Sequence, residues 1–93
     1  EAMIYDLMAA SLLRSVTATA SYVALEDVRC SAVTILNKTG DDLSIEMASD
    51  SDTGKEIVLA DGLSVVVQVV SNAKEIRIKS ATGTTGVYLV IDS

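Results

Sequence analysis

The sequence predicts a mainly β domain, a small antiparallel β-sandwich or barrel of about six to seven strands. Short runs in which every second residue is apolar recur along the chain, and Gly, Asn, Asp and Ser cluster between them. The apolar residues, 49% of the 93, are mostly Val, Ile, Leu and Ala, without any Phe or Trp. Because β-branched side chains pack well on a pleated sheet, this composition favours strands, and the length suits one domain.

The first half of the chain contains three runs that indicate strands. Residues 15–20 alternate Thr or Ser with Val or Ala, which indicates a weak strand or a linker. Val33 and Ile35 lie on one side of the next strand, and residues 43–47 alternate apolar with polar side chains. The polar stretch 37–41 between them has turn composition, so we expect these two strands to form an antiparallel hairpin.

The second half continues the pattern. An Asp-Gly pair at 61–62, a strong hairpin signal, separates a short strand at 57–59 from a run at 63–70 with valines on both faces. Apolar residues on both faces predict a central strand, or a strand with one side covered by a neighbour. Two further alternating runs, 76–79 and 87–91, complete the domain.

The first fourteen residues do not follow the strand pattern. Their apolar side chains fall at helical spacing without Gly or Pro, which predicts a short helix or an extended arm at 1–14, followed by the β-domain at 15–93. This segment either packs on its own sandwich as a core element or binds a partner, because an exposed apolar arm needs one. The partner-binding candidates are Ile4, Tyr5, Leu7, Met8 and Leu12.

The charge balance excludes some partners. Seven basic and thirteen acidic residues give a net charge of −6. Such a chain is repelled by a phosphate backbone and by an anionic membrane surface, so we expect neither nucleic acid nor membrane as a partner.

The sequence shows no recognisable set of catalytic residues. It has no His, and its one cysteine, Cys30, has no basic partner in the pattern, so no nucleophile–base pair can be assembled. The carboxylates fall in turns and on polar strand faces. The acidic loop 50–56 departs from the calcium-loop pattern, and Asn37, which begins an N-x-[ST] motif, has the context of a turn residue. We therefore predict a protein that is not an enzyme, with no catalytic residue, cofactor or metal.

Three stretches of the β-domain resemble small virion proteins of tailed bacteriophages. They are VTILNKTGDDLSI at 33–45, LADGLSV at 59–65 and SNAKEIRI at 71–78. The resemblance implies a structural role on the particle, as a capsid decoration or cement protein or as a neck or tail component. It brings no catalytic residues with it.

The leading interpretation is a decoration protein that stabilises the phage head. It implies a homo-oligomer, with a trimer expected, that binds the major capsid protein or another virion protein, and a location in a virion assembled in the host cytoplasm. The alternatives are a neck or tail accessory protein and a receptor- or carbohydrate-binding β-sandwich. The scarcity of aromatic residues, three Tyr in all, argues against sugar binding.

Overall fold

Eight strands form two antiparallel four-stranded sheets in the computed structural model, which describes residues 11–49, 55–68, 70–81 and 85–92. Sheet A has the strand order β1-β8-β3-β6, and sheet B has the order β2-β7-β4-β5. A single turn of 3₁₀ helix at Ala73–Glu75 precedes β7. The strands are β1 (Leu12–Thr17), β2 (Val23–Ala24), β3 (Ala32–Asn37), β4 (Leu43–Met47), β5 (Ile57–Leu59), β6 (Ser64–Gln68), β7 (Ile76–Lys79) and β8 (Thr85–Asp92).

The core lies between the two sheets, and the period-2 pattern positions it. In β3 the side chains of Val33 and Ile35 are fully buried, whereas those that alternate with them are only partly buried. Burial of each such side chain contributes about 1.5–3 kcal/mol. The predicted mainly β sandwich is thus confirmed. The largest fully buried aliphatic side chains of its core are Val33, Ile35, Leu43, Ile76, Ile78, Val87, Leu89 and Ile91.

The predicted hairpin between the strands at 33–35 and 43–47 is wrong. β3 pairs with β6 and β8 in sheet A, whereas β4 pairs with β5 and β7 in sheet B. The connecting turn crosses from one sheet to the other. An alternating pattern shows that a strand has one buried face, but it reads the same whether the next strand lies beside it or across the core.

The Asp-Gly turn also crosses between the sheets. The amide of Leu63 donates to the carbonyl of Ala60 (3.2 Å), and Gly62 has a φ of 86° at the third position of the turn. Type II turns require positive φ there, whereas two-residue hairpins favour types I′ and II′. β5 therefore pairs in sheet B and β6 in sheet A. In the strand order of sheet A, β6 is an edge strand, so the central position predicted for it is wrong. The alternative, a strand with one side covered by a neighbour, stays a prediction.

The chain is already a strand where a helix or an arm was predicted to end. β1 begins at Leu12 and pairs with β8 in a register that joins Leu12 to Ile91 and Val16 to Val87. It therefore spans the predicted boundary between residues 14 and 15. The described residues contain no N-terminal helix, and residues 1–10 lie outside them.

Candidate functional site

The outer face of sheet A is the surface that the strands build most regularly. We define it as the side chains that point away from the core on all four strands. One row crosses the whole sheet, because Leu13 pairs with Val90, Val90 with Thr34, and Thr34 with Val66. The members of the outer face are Leu13, Ser15 and Thr17 on β1, Tyr88, Val90 and Asp92 on β8, Ala32, Thr34 and Leu36 on β3, and Ser64, Val66 and Gln68 on β6.

This face exposes large apolar side chains. Leu13 is 63% exposed, Val66 50% and Tyr88 47%. Leu13 and Val66 lie at opposite edges of the sheet, with Val90 and Thr34 between them, and the face therefore mixes exposed apolar with polar side chains. Exposed apolar side chains gathered on one face are typical of an interaction surface, whereas scattered ones are ordinary. Val90 lies between Leu13 and Thr34 in the same row and is only 9% exposed.

The outer face of sheet A is also nearly free of charge. Among its members only Asp92 is ionisable at neutral pH, and it lies at one corner, where the Ser11 hydroxyl donates to its Oδ1. In a chain with a net charge of −6, four adjacent strands thus present a face where a partner can approach without desolvating ions.

The outer face of sheet B differs in that it carries several charged groups, beside the exposed Val58 of β5. Glu46 and Arg77 form an ion pair (Oε2–Nη2 2.5 Å), and the Lys79 ammonium lies 4.7 Å from the centre of the Tyr22 ring. The Tyr22 hydroxyl donates to Glu56 (3.2 Å), and burial, reinforced by that carboxylate, raises the pKa of Tyr22. These groups pair with one another, apart from the buried Nε of Arg77, which has no hydrogen-bond partner among the described residues, and they occupy the sheet face that an uncharged partner would have to dehydrate.

Cys30 has a setting that suppresses thiol chemistry. It is partly buried against the core, and this burial, together with the carboxylate of Glu75, raises the pKa of its thiol. A raised pKa keeps the thiol protonated at neutral pH, and the thiolate is the nucleophilic form. Cys30 lines an open groove of about 310 Å³ with Arg29, Ser31 and Ser71. The thiol that lines this groove is therefore not an activated nucleophile.

Asn37 organises the crossing between the sheets. Its side chain is fully buried, and its Nδ2 donates to the carbonyls of Asp41 and Leu59, both at 2.7 Å. Its Oδ1 accepts from the amide (3.0 Å) and the hydroxyl (2.7 Å) of Thr39. Asn37 is the last residue of β3 and not a turn residue as predicted, although its side chain bonds the turn that follows. Its buried amide is not presented as a glycosylation acceptor in the folded chain.

Metal ligands do not converge in the described ranges, where no three of the His, Cys, Asp and Glu side chains are placed to hold an ion. The acidic loop 50–56, for which no metal site is predicted, lies mostly outside the described residues, because 50–54 are not among them.

The partner-binding residues predicted from the sequence fall in two places. Ile4, Tyr5, Leu7 and Met8 lie outside the described residues. Leu12 lies on the inner side of β1, half-buried against the core, rather than on an outer surface.

Sequence reasoning did not select Leu13, Val66 and Tyr88, which the fold brings to one face. The signal was present, since residues 63–70 and 87–91 both carry apolar side chains on their two faces. For 63–70 the pattern predicts a central strand or a strand with one side covered by a neighbour, because it does not reveal which strands lie at an edge. The run 87–91 is predicted only as an alternating strand.

Comparison with known proteins finds no family, no curated protein and no solved structure that matches the chain significantly. Within the described part of the chain, no helix is long and apolar enough to cross a membrane.

Proposed function

We propose that this chain is a non-enzymatic structural protein of a tailed-phage particle, a decoration or cement protein that docks on the capsid shell through the outer face of sheet A. The observation that carries the proposal is the charge-poor row from Leu13 to Val66, which crosses four strands with its two ends half-exposed or more. The sequence resemblance supplies the phage setting.

The composition of the face suits a protein interface. The centres of interfaces are depleted of charged residues and enriched in aromatic ones, and here Tyr88 stands at the middle of the sheet. The exposed apolar side chains of this charge-poor face contact water in the isolated chain, and covering them with a partner is favourable.

The size of the face suits a protein that acts in many copies. Four strands about 4.8 Å apart and about five residues long at ~3.3 Å per residue give a face of roughly 300 Å². A stable pairwise complex needs about 800 Å² from each partner, so one such contact is weak. A repeating shell overcomes this weakness if linked copies bind neighbouring subunits at once, because multivalent attachment raises the overall affinity.

The test is co-sedimentation of the purified chain with shells assembled from the major capsid protein of the encoding phage. We expect saturable binding in many copies per shell. Leu13→Asp introduces a charge at the 63%-exposed end of the row and should weaken binding about tenfold or more, in the range of interface hot spots. Val58→Asp is the matched control, since Val58 is 57% exposed on β5 of sheet B.

The two variants decide the proposal. Shell binding that survives Leu13→Asp, or that is lost equally with Val58→Asp, would show that the outer face of sheet A is not the contact. Absence of saturable shell binding, or association with tails in low copy, would overturn the decoration role. Circular dichroism of both variants confirms that each one is folded.

A further inference from the structure

β6 is an edge strand of sheet A, and its outer edge is free within the described chain. It pairs with β3 on one side, and no described strand lies on the other. Its sequence, Ser-Val-Val-Val-Gln, contains neither a charge nor a proline, the two residue types that commonly block strand edges. An unblocked edge binds one class of partner, another extended strand.

The hydrogen-bond register identifies the backbone groups at this edge. The amide of Asn37 donates to the carbonyl of Leu63 (3.0 Å), so the pair 37–63 is hydrogen-bonded across β3 and β6. Hydrogen-bonded pairs alternate along an antiparallel ladder, so the groups of residues 65 and 67 also point to β3. The amides and carbonyls of Ser64, Val66 and Gln68 consequently point to the free edge.

The other three edges are less suited to pairing. β2 has two residues and β5 has three. At the opposite edge of sheet A, β1 carries Arg14 on its inner side, where the guanidinium bonds Glu26 (2.8 Å) and the carbonyl of Leu13 (3.1 Å). An inward-pointing charge on an edge strand is a known device against pairing. β6 has no such device.

We propose that two copies of this chain pair through β6, antiparallel, around a twofold axis at Val66. Val66 then faces Val66 of the second copy in a hydrogen-bonded pair. Ser64 of each copy faces Gln68 of the other. The free groups on each edge are thus matched, and about six backbone hydrogen bonds form. The two A sheets become one sheet of eight strands.

The charges of the chain favour this site for self-association. Two copies with a charge of −6 repel each other, and every cross-strand pair in the proposed register is neutral. Pairing at β1 in place of β6 would add Arg14 to the contact. The β6 pairing also joins the two outer faces of sheet A, so the row from Leu13 to Val66 continues into the second copy.

The twofold arrangement differs from the trimer that the phage resemblance implied. A ring of three needs two different edges that fit each other, because each copy must present one surface to each neighbour. The edge of β6 is complementary to itself and is used up by one partner. The pairing deepens the proposed function. Its role in multivalent shell binding rests on that function.

Cysteine cross-linking tests the axis. On a Cys30→Ser background, Val66→Cys places two thiols on residues whose Cα atoms are about 5.5 Å apart in the paired strands, within disulfide reach. Ser64→Cys is the matched control, because in this register the two copies of residue 64 are ~14 Å apart. We expect oxidation, or a short bifunctional thiol reagent, to give about tenfold more covalent dimer with Val66→Cys, and the double variant Ser64→Cys/Gln68→Cys to cross-link as well.

Sedimentation equilibrium supplies the second measurement. Val66→Pro removes an edge amide that faces solvent in the single copy, so the fold should tolerate it, while self-association should weaken about tenfold or more. Val66→Thr keeps the amide and should stay within a few-fold of the parent.

Equal cross-linking of Val66→Cys and Ser64→Cys, or a trimer in sedimentation, would overturn the pairing. Shell binding without the Val66 cross-link would refute the pairing and leave the decoration role intact. The Val66 cross-link without shell binding would refute the decoration role and leave the pairing intact.

Discussion

Replacement of Asn37 by Ala should be among the most destabilising single changes in the described chain. It removes four side-chain hydrogen bonds of 2.7–3.0 Å and leaves the buried carbonyl of Leu59 without that donor. Each bond contributes about 1 kcal/mol net, and a buried group left unsatisfied costs about 1–3 kcal/mol. Because the Thr39 side of the network is partly open to water, which replaces some bonds, we expect a loss of about 3–4 kcal/mol. The whole stability of a 93-residue domain is roughly 5–14 kcal/mol.

Asn37→Asp gives the same site a pH dependence. One carboxylate oxygen would keep the bonds from Thr39, while the other would face the carbonyls of Asp41 and Leu59. Burial and these carbonyls favour the protonated form, so the folded-state pKa of the introduced carboxyl should lie above its unfolded value of about 3.9. Below a pH of about 3.9 the carboxyl is protonated in both the folded and the unfolded state, and the variant should be near its most stable. Its deficit should grow as pH rises through the folded-state pKa.

Urea denaturation followed by circular dichroism measures both variants. Lys38→Ala is the matched control, since the Lys38 side chain is exposed at the next position and should change the free energy of unfolding by less than about 0.5 kcal/mol. A parent-like midpoint for Asn37→Ala would refute the role given to the network. A deficit of Asn37→Asp that stays constant from pH 3 to pH 7 would refute the burial of its carboxyl.

Two further predictions concern backbone space and a buried charge. Gly86→Ala should lower the free energy of unfolding by about 2–4 kcal/mol, because its Cβ would lie 2.5 Å from a backbone oxygen at a φ of 112°. Gly62→Ala, which has a positive φ but open space around it, should lower it by only about 1 kcal/mol. Equal melting temperatures for the two would refute the steric argument. Glu46→Gln should cost about 1–3 kcal/mol, since it leaves the partly buried Arg77 without its counter-ion, and Glu26→Gln, at an exposed pair, less than about 1 kcal/mol. Chemical denaturation measures both, and a Glu46→Gln variant no weaker than Glu26→Gln would contradict the prediction.

The positions of most strands could be predicted from the sequence, but the pairing of the strands could not. Alternation locates β3, β4, β7 and β8, since a strand with one buried face leaves a period of two in the sequence. Which sheet a strand joins depends on contacts across the core. The side chain of Asn37, which bonds a carbonyl on β5, belongs to those contacts, and nothing in a local pattern reports a bond over 22 positions.

The candidate surface was missed for the same reason. Val66 sits in a run with apolar residues on both faces, which predicts a central strand or a strand with one side covered by a neighbour. Tyr88 sits in a run that is predicted only as an alternating strand. In the fold Val66 lies at an edge and Tyr88 on the outer side of a sheet with no described layer above it. The sequence contains the exposed apolar residues, and only the topology shows that they form one surface.

The position of β8 between β1 and β3 has a consequence for how the chain is made. β8 follows every other described strand in the sequence, yet it holds the centre of sheet A and pairs with residues up to about 80 positions away. Contacts of such long range close slowly. On the ribosome, sheet A can assemble only once β8 has emerged, so the valine-rich β6 is synthesised well before its sheet is complete. A chaperone that binds short apolar segments should therefore engage this chain during translation, and rapid synthesis should favour its aggregation.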